Sequence, residues 1–158
     1  MKPKVPLFPG LKTKRLELIQ IGNQHKEDLE ELFPYSSSNL RSADELLEMI
    51  KRDYENGESI NWGLKLNDTI IGTCGFYRGF ANEIGEIGFV LRKQYRGNEY
   101  MLEAANAIIN YGFNVLQLKL ITAYTKDENT SARVLLKKLN FIPTDELFQE
   151  YRIYHLNP

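Results

Sequence analysis

The spacing of apolar residues in this chain changes repeatedly between alternation and a helical period, and the order of these changes constrains the fold most. Alternating or continuous apolar runs predict strands over residues 15–19, 60–66, 69–77, 83–91, 119–124 and 148–156. Helical spacing predicts helices over residues 24–33, between Ser42 and Gly57, and over residues 100–113 and 130–139. The order β-α-α-β-β-β-α-β-α-β predicts an α+β (mixed α/β) domain built around one sheet.

Turn and capping residues support these boundaries. Ser42 followed by Glu45 three residues later is typical of a capping box, and Asn67-Asp68 between two strands is typical of a tight hairpin. Pro34 is expected to stop the first helix, residues 36–39 to form a polar loop, and Asn140 to follow the last helix. Residues 1–12, with three prolines, are expected to form an irregular lead-in.

Composition narrows the class of protein. The 158 residues suit one domain, 1–158, and a net charge of −1 gives no general attraction to nucleic acid or to anionic membranes. No apolar run approaches the ~18 residues that span a bilayer, and the N-terminus lacks a signal-peptide core, so a cytoplasmic location is expected. One cysteine and two histidines provide no metal-ligand spacing, so no metal is expected, and Cys74 is interpreted as a small buried residue.

The segment 92–100, between a predicted strand and the longest predicted helix, has features of an anion site. Arg92, Lys93 and Arg96 lie within five residues, and Gly97 can adopt positive φ and allow close approach of a ligand. Free N–H groups at a helix start, together with the helix dipole, bind groups such as pyrophosphate. By spacing alone, a solvated basic turn is the more ordinary interpretation.

Several motifs together resemble one family. Gln94-x-x-Gly97-x-Glu99 resembles the Q/R-x-x-G-x-G/A motif of the GNAT superfamily of N-acetyltransferases, whose element order is also that of this chain. Three features resemble its RimJ/RimL-type branch, which acetylates ribosomal-protein N-termini and other amines: Thr13-Lys14-Arg15-Leu16, Glu86-Ile87-Gly88-Phe89, and Asn129-x-Ser131-x-Arg133 leading to Leu139-Asn140-Phe141. The resemblance implies a mostly antiparallel mixed sheet flanked by about four helices, and acetyl-CoA as co-substrate.

The resemblance also implies a binding site for the cofactor. The backbone of Phe89, Val90 and Leu91 would pair with the pantetheine arm, and Asn129 would bind the pantetheine or the incoming amine. The pyrophosphate would be held by the basic turn and the helix start, with Arg92, Arg96, Gly97, Asn98, Glu99 and Tyr100.

Glu99 departs from the family pattern, which has glycine or alanine at this position. Its carboxylate suits an empty helix N-terminus but would repel a bound pyrophosphate. Either this side chain points outward or it weakens cofactor binding.

Amine acylation requires a base and a proton source for the leaving thiolate. Glu86 is the candidate base, since Gly88 on the same strand face and the preceding Gly85 leave room for a ligand; the alternative is a surface glutamate or a partner of Arg15 or Arg133. Many relatives use a tyrosine as acid where this chain has Leu136. Ser131 is therefore the candidate acid, with Tyr124 as a second choice and helix capping as the ordinary role of Ser131.

The acceptor stays open at this stage. A protein N-terminus, a polyamine, an aminoglycoside or another small amine all fit, and acidic residues over 27–31 are more simply a solvated helix face. The aromatic residues Trp62, Phe76, Tyr77 and Phe80 are more typical of core than of an acceptor pocket. A homodimer is compatible with the resemblance.

Two alternative functions stay open. One is a non-catalytic acyl-CoA-binding regulator, and the other is an interaction domain that has lost the cofactor.

Overall fold

The computed structural model of this protein describes residues 7–32 and 42–158. Their helices are α1 (Lys26–Leu32), α2 (Ala43–Glu55), α3 (Tyr100–Asn114) and α4 (Thr130–Lys138). Their strands are β1 (Leu11–Lys12), β2 (Glu17–Gln20), β3 (Ile60–Leu66), β4 (Thr69–Gly79), β5 (Ile84–Leu91), β6 (Leu120–Lys126), β7 (Ile142–Phe148) and β8 (Tyr151–Leu156). None of these helices is long and apolar enough to cross a bilayer.

All eight described strands belong to one sheet in the order β1-β2-β3-β4-β5-β6-β8-β7. Every neighbouring pair is antiparallel except β5 and β6, which are parallel. The mixed, mostly antiparallel sheet with four helices is therefore confirmed. The predicted stop at Pro34 and the loop over 36–39 lie outside the described residues.

Local signals placed most boundaries within a few residues. The Ser42 hydroxyl accepts a hydrogen bond from the Glu45 backbone N–H at 3.2 Å, which starts α2 where predicted. Asn67, in the turn between β3 and β4, has φ 55°, and Asn140, after α4, has φ 69°. Both conformations are of the left-handed kind that asparagine tolerates better than most residues.

Two strands differ from the prediction. Leu11 and Lys12 pair with Leu18 and Glu17, so the end of the predicted lead-in is a short edge strand. The predicted single last strand is a hairpin of β7 and β8, with Gln149 at φ 56° in its turn. Strand β7 has almost no buried side chain and contains a proline, so it lacks the alternation that would have revealed it.

The sheet separates two hydrophobic clusters. Helices α3 and α4 contribute to the larger one, which includes Trp62, Phe76 and Leu136. Helices α1 and α2 contribute to the smaller one with Ile70, whereas the adjacent Ile71 belongs to the larger cluster. This alternation along β4 indicates that the two helix pairs cover opposite faces of the sheet.

Candidate active site

Strand β5 loses one of its two neighbours halfway along its length. It pairs with β4 from Gly85 to Leu91, but with β6 only at Ile84, Gly85 and Glu86. Beyond Glu86, β6 continues to Lys126 alongside β8 instead. Among the described strands, none pairs with the edge of β5 at Phe89–Leu91 on the side of β6, and an extended ligand can pair with it there.

The larger of two cavities opens where these strands separate. Its volume is about 690 Å³. The predicted residues that line it are Phe89, Val90 and Leu91 of β5, Arg96, Gly97, Glu99 and Tyr100 before and at the start of α3, and Asn129 and Ser131 at the start of α4. Residues that the sequence did not single out complete the wall, among them Leu102, Val134, Leu135 and Lys138.

The turn before α3 has an unusual backbone. Gly97 has φ 90°, and a Cβ built on it would meet no heavy atom within 4 Å, so the backbone there borders open space. Glu99 has φ 60° and precedes α3 without capping it through its side chain. The first N–H groups of α3 consequently lack a side-chain cap, which suits an anion at this helix end.

The Glu99 side chain is 59% exposed and pairs with Lys138 at the wall of the larger cavity. Its Oε1 accepts a hydrogen bond from Lys138 Nζ at 2.7 Å, and both residues line the larger cavity. This bond and the lysine charge lower the pKa of the Glu99 carboxyl. An ion pair between the start of α3 and the end of α4 therefore lies at the wall where the sequence predicted a pyrophosphate.

Of the other residues predicted to bind the pyrophosphate, Arg96 lines the larger cavity and Asn98 does not. Arg96 lines the larger cavity and donates from Nε and Nη2 to the Leu91 carbonyl oxygen at 3.3 Å. The Asn98 carbonyl oxygen accepts from Arg15 Nη2 at 2.9 Å, and Asn98 is not among the lining residues.

Arg92 is turned toward α1 instead of the cavity. Its Nη1 lies 3.4 Å from Asp28 Oδ1 and 3.3 Å from the Ile70 carbonyl oxygen, and its guanidinium carbon lies 5.6 Å from the centre of the Tyr95 ring. The predicted cofactor-binding role of Arg92 is therefore not supported by its position. Asp28 is 64 residues away in sequence, so the residues of the basic turn alone could not predict this pairing.

The start of α4 brings two predicted residues to the larger cavity. Asn129 Oδ1 accepts the Ala132 backbone N–H at 3.2 Å and so caps the helix, leaving its amide nitrogen as the group available to a ligand. Ser131 is exposed and lines the cavity. Leu136 is buried in the core and Leu135 beside it lines the cavity, so neither position supplies a proton.

The smaller cavity has a volume of about 370 Å³ and lies between β5 and helices α1 and α2. Glu86 and Val90 line it, and Val90 lines the larger cavity as well. Asn61 of β3 and Thr73, Tyr77 and Arg78 of β4 contribute its other polar groups near the sheet. Both cavities therefore border β5 at Val90.

Glu86 sits on this wall in a half-buried environment. Burial raises the pKa of its carboxyl above the usual value of 4.5, and the charge of Arg78 partly opposes that shift. Arg78 Nε lies 3.5 Å from Glu86 Oε2. The partner of Glu86 is therefore Arg78, whereas Arg15 pairs with Glu103 and Arg133 donates to the Asp127 carbonyl oxygen.

The predicted reason for the room beside Glu86 was wrong. A Cβ on Gly88 would lie 1.9 Å from the Tyr77 ring, so this glycine accommodates an aromatic side chain and not a ligand. A Cβ on Gly85 would meet Leu118 and Phe76 of the core. The space in front of Glu86 comes instead from the separation between the sheet and the two helices α1 and α2.

The remaining sequence candidates fall outside the two cavities, except Tyr77. Trp62 and Phe76 are fully buried, as expected for core residues, and Cys74 is also buried, which raises the pKa of its thiol. The Tyr124 ring packs 6.2 Å from the Phe148 ring and lines neither cavity. Among residues 7–32 and 42–158, no cluster of three His, Cys, Asp or Glu side chains could hold a metal.

Sequence reasoning missed most of the smaller cavity. Asn61 and Arg78 carried no recognisable signal, since a single polar residue in a strand and a single arginine before a turn are common. Only the two-residue alternation separates Asn61 from the fully buried Trp62, because it places the two side chains on opposite faces of β3.

Comparisons with known proteins agree with this architecture. The chain is 35% identical over 89 residues to "Uncharacterized N-acetyltransferase YnaD" of Bacillus subtilis (strain 168), a match that covers 56% of this chain. The chain spans about half the length of that relative, 52%.

Two solved structures have the same fold at low sequence identity. The RimL ribosomal L7/L12 alpha-N-protein acetyltransferase in complex with coenzyme A superposes with a TM-score of 0.78 at 14% identity, covering 92% of this chain and 95% of that one. The Microcin C7 self immunity acetyltransferase MccE, in complex with acetyl-CoA and AMP, gives 0.71 at 16% identity, covering 92% and 93%. The model of the family described as "Acetyltransferase (GNAT) domain" matches residues 15–142, and this chain therefore belongs to the GNAT acetyltransferase family.

Proposed function

We propose that this protein is an N-acetyltransferase that moves an acetyl group from acetyl-CoA to a primary amine within a ternary complex. GNAT acetyltransferases use acetyl-CoA as their acyl donor. The observation that carries the proposal is that two cavities share Val90 of β5 as a lining residue, one beside the unpaired edge of this strand and the other containing a half-buried glutamate. We call the larger one the donor cavity and the smaller one the acceptor cavity.

The donor cavity has the features that coenzyme A requires. The free edge at Phe89–Leu91 offers backbone N–H and C=O groups to the amides of the pantetheine arm. The uncapped start of α3, with Gly97 beside open space, offers N–H groups and a dipole to the pyrophosphate. The guanidinium of Arg96 adds a positive charge at this wall.

The acceptor cavity would position the amine next to Glu86. The amine nitrogen attacks the thioester carbonyl carbon, Glu86 takes the proton directly or through a water, and the C–S bond breaks. The departing thiolate takes a proton, for which Ser131 is the candidate donor because it lines the donor cavity. Since Val90 borders both cavities, the reacting atoms would meet beside this residue.

Calorimetry with acetyl-CoA and a thiol-release assay with a panel of amines test the proposal together. Binding of acetyl-CoA and amine-dependent release of free CoA are the expected results. Binding without thiol release for any amine would favour a non-catalytic acyl-CoA-binding regulator. That second function has specific support in the Glu99 carboxylate within the donor cavity and in the lack of a hydroxyl at Leu135 and Leu136. The cytoplasmic location and a homodimer stay predictions.

Replacing Glu99 by glutamine is expected to tighten acetyl-CoA binding about two- to fivefold, the range of an exposed charge interaction. The change removes a negative charge from the donor cavity and frees Lys138 to face a phosphate, while it keeps a non-glycine residue at the same backbone position. Isothermal titration of acetyl-CoA at low and high salt measures the effect, which should shrink as salt screens the charges.

Glu146→Gln provides the matched control, because Glu146 is exposed on β7 and lines neither cavity. An unchanged or weaker affinity in Glu99→Gln would mean that the carboxylate holds Lys138 in place and does not oppose the cofactor.

A further inference from the structure

The wall that α1 and α2 contribute to the acceptor cavity is almost entirely apolar. Its side chains from these helices, apart from Asp53, are Leu29, Leu32, Leu46, Met49 and Ile50. Val90 extends the apolar surface from the sheet. A molecule that fills this cavity of about 370 Å³ must therefore place a compact apolar group against the helices.

The charged groups of this cavity are few and already have partners. Glu86 lies 3.5 Å from Arg78, and Asp53 Oδ1 accepts from Arg52 Nε at 3.2 Å. The described lining has two carboxylates and one guanidinium, and this excess of a single carboxylate is too small for an acceptor with several positive charges.

The acidic residues of α1 do not supply that excess. Asp28 accepts the Ile70 backbone N–H at 3.0 Å and lies 3.4 Å from Arg92, and Glu31 lies 3.9 Å from Arg92. None of the acidic residues at positions 27, 28, 30 and 31 lines the acceptor cavity. A polyamine or an aminoglycoside therefore fits this site poorly.

The pair of Arg78 and Glu86 instead presents one positive and one negative group side by side. Their 3.5 Å separation is longer than a charge-assisted hydrogen bond, and 71% of the Arg78 side chain is exposed. An α-amino acid carries an ammonium and a carboxylate on one carbon atom, so its ammonium can lie at Glu86 while its carboxylate lies at Arg78. Arginine is also the side chain best suited to bind a carboxylate through two parallel hydrogen bonds.

Asn61 supplies a further acceptor in the same cavity. Its Oδ1 is buried and has no hydrogen-bond partner among the described residues. Buried polar atoms are normally satisfied, so this oxygen is a further site in the cavity for a hydrogen-bond donor of a bound ligand.

We propose that the acceptor is a free α-amino acid with an apolar side chain, bound with its carboxylate at Arg78, its amine at Glu86, and its side chain against α1 and α2. The proposal rests on the function proposed above. The ammonium loses one proton before attack and a second as the N–C bond forms, the C–S bond of acetyl-CoA breaks, and the thiolate takes up a proton. The products are the N-acetyl amino acid, free CoA and one released proton.

The experiment compares kcat/KM for four amines in the thiol-release assay with acetyl-CoA: L-leucine, L-leucinamide, 3-methylbutylamine and spermidine. L-Leucine is expected to be the best by about tenfold or more, because only it offers a carboxylate to Arg78. Arg78→Met should lower kcat/KM for L-leucine about 10- to 100-fold and change that for L-leucinamide less than about twofold.

Two further variants separate this role of Arg78 from a general one. Arg78→Lys, which keeps the charge but not the fork of donors, should recover part of the loss. Lys51→Met removes an exposed charge from α2 that lines neither cavity and should leave both amines unaffected. Since Arg78 also influences the pKa of Glu86, all rates are compared on the plateau of each pH profile.

A binding measurement separates failure of this proposal from failure of the proposed function. L-Leucine is titrated calorimetrically into protein saturated with CoA, which allows no turnover. If L-leucine binds, Arg78→Met abolishes this binding and no thiol is released, the transferase proposal is overturned and the amino-acid site is supported. L-Leucinamide or spermidine acetylated better than L-leucine, or an equal loss for L-leucine and L-leucinamide in Arg78→Met, would overturn the amino-acid proposal and leave the transferase standing. If L-leucine neither binds nor is acetylated, the amino-acid proposal is also overturned.

Discussion

Replacement of Glu86 by glutamine is expected to lower kcat about 10²- to 10⁴-fold, the usual contribution of a general base. Glutamine has nearly the same shape, so the acceptor cavity should persist while the proton acceptor is lost. Thiol release under saturating acetyl-CoA measures kcat, and calorimetry should find the acetyl-CoA dissociation constant within about twofold of the wild type, because Glu86 does not line the donor cavity.

The pH profile gives this substitution a second readout. The wild-type kcat/KM should rise with pH through the pKa of Glu86, which burial raises and Arg78 partly lowers, because only the ionised carboxylate accepts a proton. Asp53 of α2 and Tyr77 of β4 are the other titratable side chains of this cavity. In Glu86→Gln the rise in kcat/KM that follows the pKa of Glu86 should disappear. The rise that follows deprotonation of the acceptor amine should remain.

Glu83→Gln is the matched control, because Glu83 lies three residues earlier, is exposed and pairs with Lys119. It should retain wild-type kcat. An unchanged kcat in Glu86→Gln, or a rise in kcat/KM at the pKa of Glu86 that survives the substitution, would remove Glu86 from the mechanism.

Trp62→Ala is expected to lower the free energy of unfolding by about 3–5 kcal/mol, the usual cost of deleting a large buried aromatic side chain. Trp62 is fully buried, its ring packs 5.9 Å from that of Phe8 and 5.4 Å from that of Tyr111, and its indole N–H donates to the Pro9 carbonyl oxygen at 2.8 Å. The substitution removes this packing from between β3 and α3 and leaves the Pro9 carbonyl without its donor.

Urea denaturation followed by circular dichroism measures the change. Val115→Ala is the control, since 61% of Val115 is exposed, and it should shift the free energy of unfolding by less than about 0.5 kcal/mol. A loss below about 1 kcal/mol in Trp62→Ala would show that this side chain does not anchor the segment before β1 to the sheet.

Much of the fold could be predicted because its signals are local. The Ser42 cap, the Asn67 turn and the apolar run of β4 each depend on a few neighbouring residues, and all were recovered. Strand β7 was missed because it is exposed on both faces and has no hydrophobic period. Its pairing with β8 is a property of the assembled sheet edge.

The donor cavity was more predictable than the acceptor cavity for a similar reason. Phe89, Gly97 and Tyr100 lie in one short segment, so a motif could bring them to attention together. Arg92 lies in the same segment and yet turns to Asp28, which no local rule anticipates.

By itself, the sequence determined the order of the four helices and of the six strands other than β1 and β7, the positive-φ glycine before α3, and the family, because hydrophobic period and turn chemistry act within a few residues. Only the tertiary structure decided that Glu86 faces Arg78, that Glu99 pairs with Lys138 and that Asn61 shares a cavity with α1 and α2. These residues lie from eight to 39 positions apart in the sequence, and their geometry depends on how the whole sheet is covered by its helices.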